Sequence, residues 1–113
     1  CRTALGNPQA ELGFAGLAVQ SGASSTIASL WSVDDAGTLA LMSQFYQQLK
    51  DTPIKSEALR QTQIAMIKQQ VSLKNNPAIR GSSNLPTNIP NLNSRELSHP
   101  YYWAGFTLIG NPW

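Results

Sequence analysis

From Glu11 to Ala23 the chain is almost uniformly small and apolar, through Leu12, Phe14, Ala15, Leu17, Ala18 and Val19. Gly13 and Gly16 thin one face and Gly22 is placed to end the run, so the segment predicts a buried helix with glycines for close approach. Ser25 to Trp31 is short, carries the β-branched pair Thr26 and Ile27 and follows a Gly-Ala-Ser turn, which predicts a central strand. Asp34 and Asp35 then stand where an N-cap belongs, ahead of Leu39, Met42, Tyr46 and Leu49 at spacings of three, four and three. That helical stripe should stop near Asp51, before Pro53. A third helix is expected from about Ile54 to Leu73, with Leu59, Met66, Ile67 and Val71 inside and Lys55, Arg60, Lys68 and Gln69 largely outside. Asn75, Asn76 and Pro77 end it.

Residues 74–98 hold six Asn, four Ser and three Pro with isolated Leu and Ile, too little apolar surface to order strongly, and predict a long variable loop. The run from Tyr101 to Ile109 is aromatic and apolar enough for a final strand, closed by Gly110, Asn111 and Pro112. A helix, a strand, two helices and a second strand describe one side of an α/β sheet. Two strands leave open edges and half-covered faces, so further strands are expected upstream of Cys1 or in another chain.

Composition narrows the function classes. The 113 residues make one small domain at most, and no apolar run approaches the roughly 20 residues of a membrane helix. A lone cysteine and a lone histidine give neither an internal disulfide nor a cluster with metal-ligand spacing. The net charge of +2 is spread thinly from Arg2 to Arg95, without the basic patch that nucleic acid requires. Gly13 and Gly16 lie in an apolar helix with no Lys-Ser or Lys-Thr behind them, which makes a nucleotide loop improbable.

Four segments carry a family resemblance. Cys1-Arg2-Thr3-Ala4-Leu5-Gly6, Gly13-Phe14-Ala15-Gly16-Leu17-Ala18, Leu30-Trp31-Ser32-Val33-Asp34-Asp35 and His99-Pro100-Tyr101-Tyr102-Trp103-Ala104-Gly105-Phe106 together resemble the C-terminal part of a CHAT domain. These are caspase-like peptidases often attached to tetratricopeptide repeats, in a clan shared with caspases and separases. The resemblance implies an α/β fold, a caspase-like sandwich with helices packed on a mostly parallel sheet, of which residues 1–113 are one C-terminal portion. It implies that Cys1 is the nucleophile and that the family's histidine, its oxyanion-hole glycine and the first half of the sheet lie upstream. It implies no cofactor and no metal, a peptide or protein substrate, a possible tetratricopeptide repeat partner, no nucleic acid or membrane, and a bacterial cytoplasmic setting.

Each candidate residue has a bland reading beside the functional one. A lone cysteine is usually a small buried hydrophobe; as a nucleophile it needs an imidazole to raise its thiolate population and to protonate the leaving amine. One of Asp34 and Asp35 is expected to cap the following helix. Asp35 also matches the last residue of a similar segment in separases, which pairs with a basic P1 side chain. Trp31 is core or an aromatic wall of the cleft, and Ser32 and Val33 lie where this clan offers backbone to a bound peptide. His99 precedes Pro100 in extended backbone, where a structural hydrogen bond is expected rather than a dyad with Cys1. The expected function is a cysteine endopeptidase with Cys1 as nucleophile and Trp31, Ser32, Val33, Asp34 and Asp35 about the S1 pocket. The alternative is a non-catalytic caspase-like scaffold or interaction module. An N-terminal-nucleophile hydrolase ranks last, because it needs a two-layer sheet sandwich.

Overall fold

The structure is a computed structural model that describes residues 8–73 and 93–113. Its elements run α1 (Pro8–Gln20), β1 (Ser25–Ser29), α2 (Asp35–Asp51), α3 (Lys55–Ile67), a one-turn helix α4 (Ser94–Leu97), a 3₁₀ turn (Pro100–Tyr102) and β2 (Phe106–Gly110). Mixed helix and strand bear out the α/β class. The two strands pair antiparallel, with Ile27 opposite Leu108 and Ser29 opposite Phe106, where a mostly parallel sheet was expected. The helix count explains the difference. Only three residues, Thr52 to Ile54, join α2 to α3, so α3 packs back along α2 and returns the chain to the end of the sheet where β1 finished. Phe106 opens β2 opposite Ser29, at that end, so β2 runs the other way.

Ile27 and Leu108 share a face and pack on the α2–α3 core, formed by Ala36, Ala40, Leu41, Phe45, Ala58, Leu59, Ala65 and Met66 with Val71, Leu73, Leu97 and Phe106. Alternation turns Thr26, Ala28, Thr107 and Ile109 the opposite way, and α1 packs against both strands. Leu41, Met66 and Leu97 are fully enclosed, each worth about 2 kcal/mol of transfer free energy. The buried stripe of α2 is Ala36, Ala40, Leu41 and Phe45; Leu39, Met42 and Leu49 are only half-buried on its flank, and Tyr46 is 61% exposed.

Several boundaries differ from expectation, each for a local reason. Helix α1 ends at Gln20 in a Schellman motif: the Gly22 N–H donates to Val19 and the Ala23 N–H to Ala18, with Gly22 at φ +105°. Its Phe14 and Leu17 are 59% and 60% exposed while Ala15 is buried, and a Cβ on Gly13 or Gly16 would meet nothing within 4 Å, so among the described residues only the sheet-facing side of this helix is buried and its glycines make no close approach. Helix α3 stops at Ile67, not Leu73. The Gln69 N–H donates to Met66 and the Gln70 N–H to Ala65, with Gln69 at φ +58°. Val71 and Leu73 are still buried, two residues apart and outside any helix or strand, and Ile67 is exposed where an inner position was expected.

The predicted loop falls mostly outside the described residues, but its last part is ordered. Asn93 and Glu96 form a capping box: the Asn93 side chain accepts from the Glu96 N–H and the Glu96 carboxylate from the Asn93 N–H, at 2.9 and 2.8 Å. This one turn drives Leu97 into the core. The final strand begins at Phe106 rather than Tyr101, because Pro100 opens a 3₁₀ turn that His99 caps.

Candidate functional site

The site grows from the end of β1. Past Ser29 the chain leaves the sheet, the Leu30 N–H donates to the Gly105 carbonyl, and residues 32–34 run without regular structure to the start of α2. Asp34, in extended backbone at φ −68° and ψ 143°, caps α2: one carboxylate oxygen accepts from the Ala36 and Gly37 N–H groups at 2.9 and 3.1 Å. That satisfies two of the orphan donors at the helix start. Of the two adjacent carboxylates, Asp34 therefore holds the fold. Asp35 is the first helical residue, is exposed, and takes no part in the cap.

Trp31 and the 3₁₀ turn are tied to each other across 70 residues of sequence. The Trp31 indole Nε1 donates to the Tyr101 carbonyl at 3.0 Å, and the Tyr101 hydroxyl donates to the Ser32 carbonyl at 2.9 Å. Two glycines make the fit possible. A Cβ on Gly105 would lie 2.7 Å from Trp31 Cε2, and one on Gly37 would lie 2.4 Å from Tyr102 Cδ1. Trp31 thus lies over Gly105, and Tyr102 over Gly37 in the first turn of α2. The Tyr101 and Tyr102 rings meet edge to face at 5.3 Å. Trp31 remains 37% exposed, which suits a residue at a pocket edge better than a core residue.

The tie leaves a short length of backbone open. The Ser32 carbonyl is taken by Tyr101, whereas the Ser32 N–H and both the N–H and the C=O of Val33 have no partner among the described residues. A groove of about 710 Å³ is lined by Asn93, Arg95, Glu96, His99, Tyr101 and Tyr102; Tyr101 links it to Trp31 and Ser32, and none of residues 31–35 lines it.

His99 has the structural hydrogen bond expected of it. Its Nδ1 accepts from the Tyr101 N–H at 3.2 Å and so caps the 3₁₀ turn. Trp31, Ser32, Val33, Asp34 and Asp35 form the consecutive link from β1 into α2, and Cys1 lies outside the described residues. Tyr101, Gly105 and Gly37, which shape that link, were not singled out from the sequence. Their signal was present, since Pro100 followed by paired tyrosines and a glycine fits a turn as well as a strand. Among the described residues no group of three His, Cys, Asp or Glu side chains could hold a metal ion, and no helix is long and apolar enough to cross a membrane.

Comparison with curated proteins and with solved structures finds no match. The family described as the CHAT domain matches residues 1–111, and its span takes in all four sequence segments and the link at residues 31–35. The chain belongs to this caspase-like family, the CHAT domain family.

Proposed function

We propose that this chain is the nucleophile-bearing part of a cysteine endopeptidase, with Cys1 as the attacking thiolate and residues 31–35 as the substrate edge. The observation that carries the reading is the division of labour between the two carboxylates: Asp34 is committed to the α2 cap, which leaves Asp35 exposed beside unpaired backbone at Val33. An exposed carboxylate at the end of a strand-like edge suits a substrate with Arg or Lys at P1, whose cation would otherwise enter the pocket unpaired. The open N–H and C=O of Val33 suit a peptide bound as an added strand.

In this reading the Cys1 thiolate attacks the scissile carbonyl carbon and the peptide C–N bond breaks. An upstream histidine gives its proton to the leaving amine, and water activated by the same imidazole hydrolyses the thioester. No cofactor takes part. The partners are a peptide or protein substrate, the upstream segment with the histidine and a tetratricopeptide repeat region, in the bacterial cytoplasm.

The test is active-site labelling of the full-length protein with peptidyl acyloxymethyl ketones that differ only at P1. The expected result is a mass adduct on Cys1 from the Arg and Lys probes and little from an Asp probe, lost in Cys1→Ala. No adduct from any probe on intact protein would favour a caspase-like scaffold instead.

A further inference from the structure

The structure assigns Tyr101 a role as the positioning residue of the substrate edge; this deepens the reading above and rests on it. Tyr101 is joined to residues 31–32 twice, by its carbonyl through Trp31 Nε1 and by its hydroxyl to the Ser32 carbonyl. It is also anchored at its own end, since its N–H is held by His99 Nδ1 and its ring rests edge-on against Tyr102, which is seated on Gly37. Trp31 cannot slide away on the other side without leaving Gly105. The segment that carries Val33 and Asp35 is therefore clamped between the α2 cap at Asp34 and the Tyr101 tie at Ser32.

The tie also sets a register. With the Ser32 carbonyl bound to Tyr101, the N–H and C=O of Val33 are the next backbone pair without a partner among the described residues. In this reading Val33 exchanges two hydrogen bonds with a single substrate residue, and Asp35, two positions on, opens α2 with an exposed carboxylate. Loss of the Tyr101 hydroxyl frees the Ser32 carbonyl and lets the edge rotate. The consequence falls on peptide binding, with the reactivity of the Cys1 thiol as the control.

The experiment compares Tyr101→Phe with the parent in the full-length protein. The variant keeps the ring and the main-chain acceptor for Trp31 and removes one donor. Three readouts are taken: kinetics on a P1-Arg peptide, alkylation of Cys1 by iodoacetamide, and amide hydrogen exchange at Leu30, Ala36 and Gly37, the hydrogen-bonded N–H groups that flank the tied segment. The expected result is a KM raised about three- to tenfold, the range of one neutral hydrogen bond, with kcat and the alkylation rate within twofold and faster exchange at the flanking Leu30, Ala36 and Gly37 amides. A substrate with an N-methyl group on the residue that pairs with Val33 should bind the parent weakly and show little further loss in Tyr101→Phe. Unchanged exchange overturns the tie. Faster exchange with unchanged KM, or a loss confined to kcat, overturns the positioning role. A parent protein that cleaves nothing removes the peptidase reading and the role with it, while the exchange data still report whether the tie exists.

Discussion

Replacing Asp34 by alanine separates the two carboxylates at the start of α2 most sharply. Asp34 accepts from two backbone N–H groups at 2.9 and 3.1 Å in a half-buried position, and it meets the positive end of the helix. Truncation leaves both donors unsatisfied at a helix that supplies Ala36, Ala40, Leu41 and Phe45 to the core, so fraying there is felt globally. Cap removals cost about 0.5–2 kcal/mol, and the part-buried setting with two accepted bonds places this one at about 1.5 kcal/mol. With an m-value of about 1.5 kcal/mol per M in urea, the midpoint should fall by about 1 M. Asp34→Asn and Asp34→Ser should recover most of that, because either side chain can accept from the same N–H groups. Asp35→Ala should shift the midpoint by less than about 0.3 M, as expected for a surface position outside the cap. Urea unfolding of the full-length protein followed by far-UV circular dichroism measures all four. Equal losses in Asp34→Ala and Asp35→Ala, or a larger loss in the latter, would refute the assignment of the cap and with it the argument that leaves Asp35 free.

The other predictions concern packing, backbone and pH. Gly105→Ala puts a Cβ 2.7 Å from the Trp31 ring, must displace it and break its bond to Tyr101, and should cost about 2 kcal/mol, seen as a fall in Tm on the order of 8 °C. Gln69→Gly relieves a left-handed residue at φ +58° in the α3 Schellman turn and should raise stability by about 0.5 kcal/mol, whereas Gln69→Val should lower it. Hydrogen bonds from Arg60 and then Gln61 lower the Glu57 carboxyl from 4.5 to about 2. A depressed carboxyl contributes stability that is complete above its unfolded value and is lost as pH falls through the folded one. Glu57→Gln should therefore flatten a small acid limb between about pH 4.5 and pH 2, and added salt should flatten it in the parent, because the pair lies at the surface.

What could be read from the sequence was what local chemistry decides. Two aspartates before an apolar stripe announced a capped helix, Gly22 announced the end of α1, and His99 before Pro100 announced a structural hydrogen bond, though at the entry to a strand where the chain instead makes a 3₁₀ turn. The errors came where a local pattern fits two structures. Val71 and Leu73 extend the α3 stripe on a helical wheel and equally fit extended chain, and the choice fell to a left-handed turn at Gln69, a residue with no special preference for it. Asn93-Ser94-Arg95-Glu96 was a capping-box signature passed over inside an Asn-rich stretch. The antiparallel pairing was not legible, because the 38 residues between α3 and β2 leave the direction of the last strand open to the sequence pattern. Around residues 31–35, the cap at the start of α2 was legible from its two aspartates. The tie from Tyr101 was not, because hydrogen bonds spanning about 70 residues leave no trace in a periodicity.

The central claim is that Cys1 attacks peptide bonds whose P1 cation is held by Asp35. It is tested most directly by cleavage of a peptide library with every residue at P1, using the full-length protein beside Cys1→Ala and Asp35→Ala. The account predicts cleavage after Arg and Lys by the parent, none by Cys1→Ala, and selective loss of Arg and Lys cleavage in a stably folded Asp35→Ala. Cleavage that survives Cys1→Ala, or a P1 preference that Asp35→Ala leaves unchanged, would contradict it.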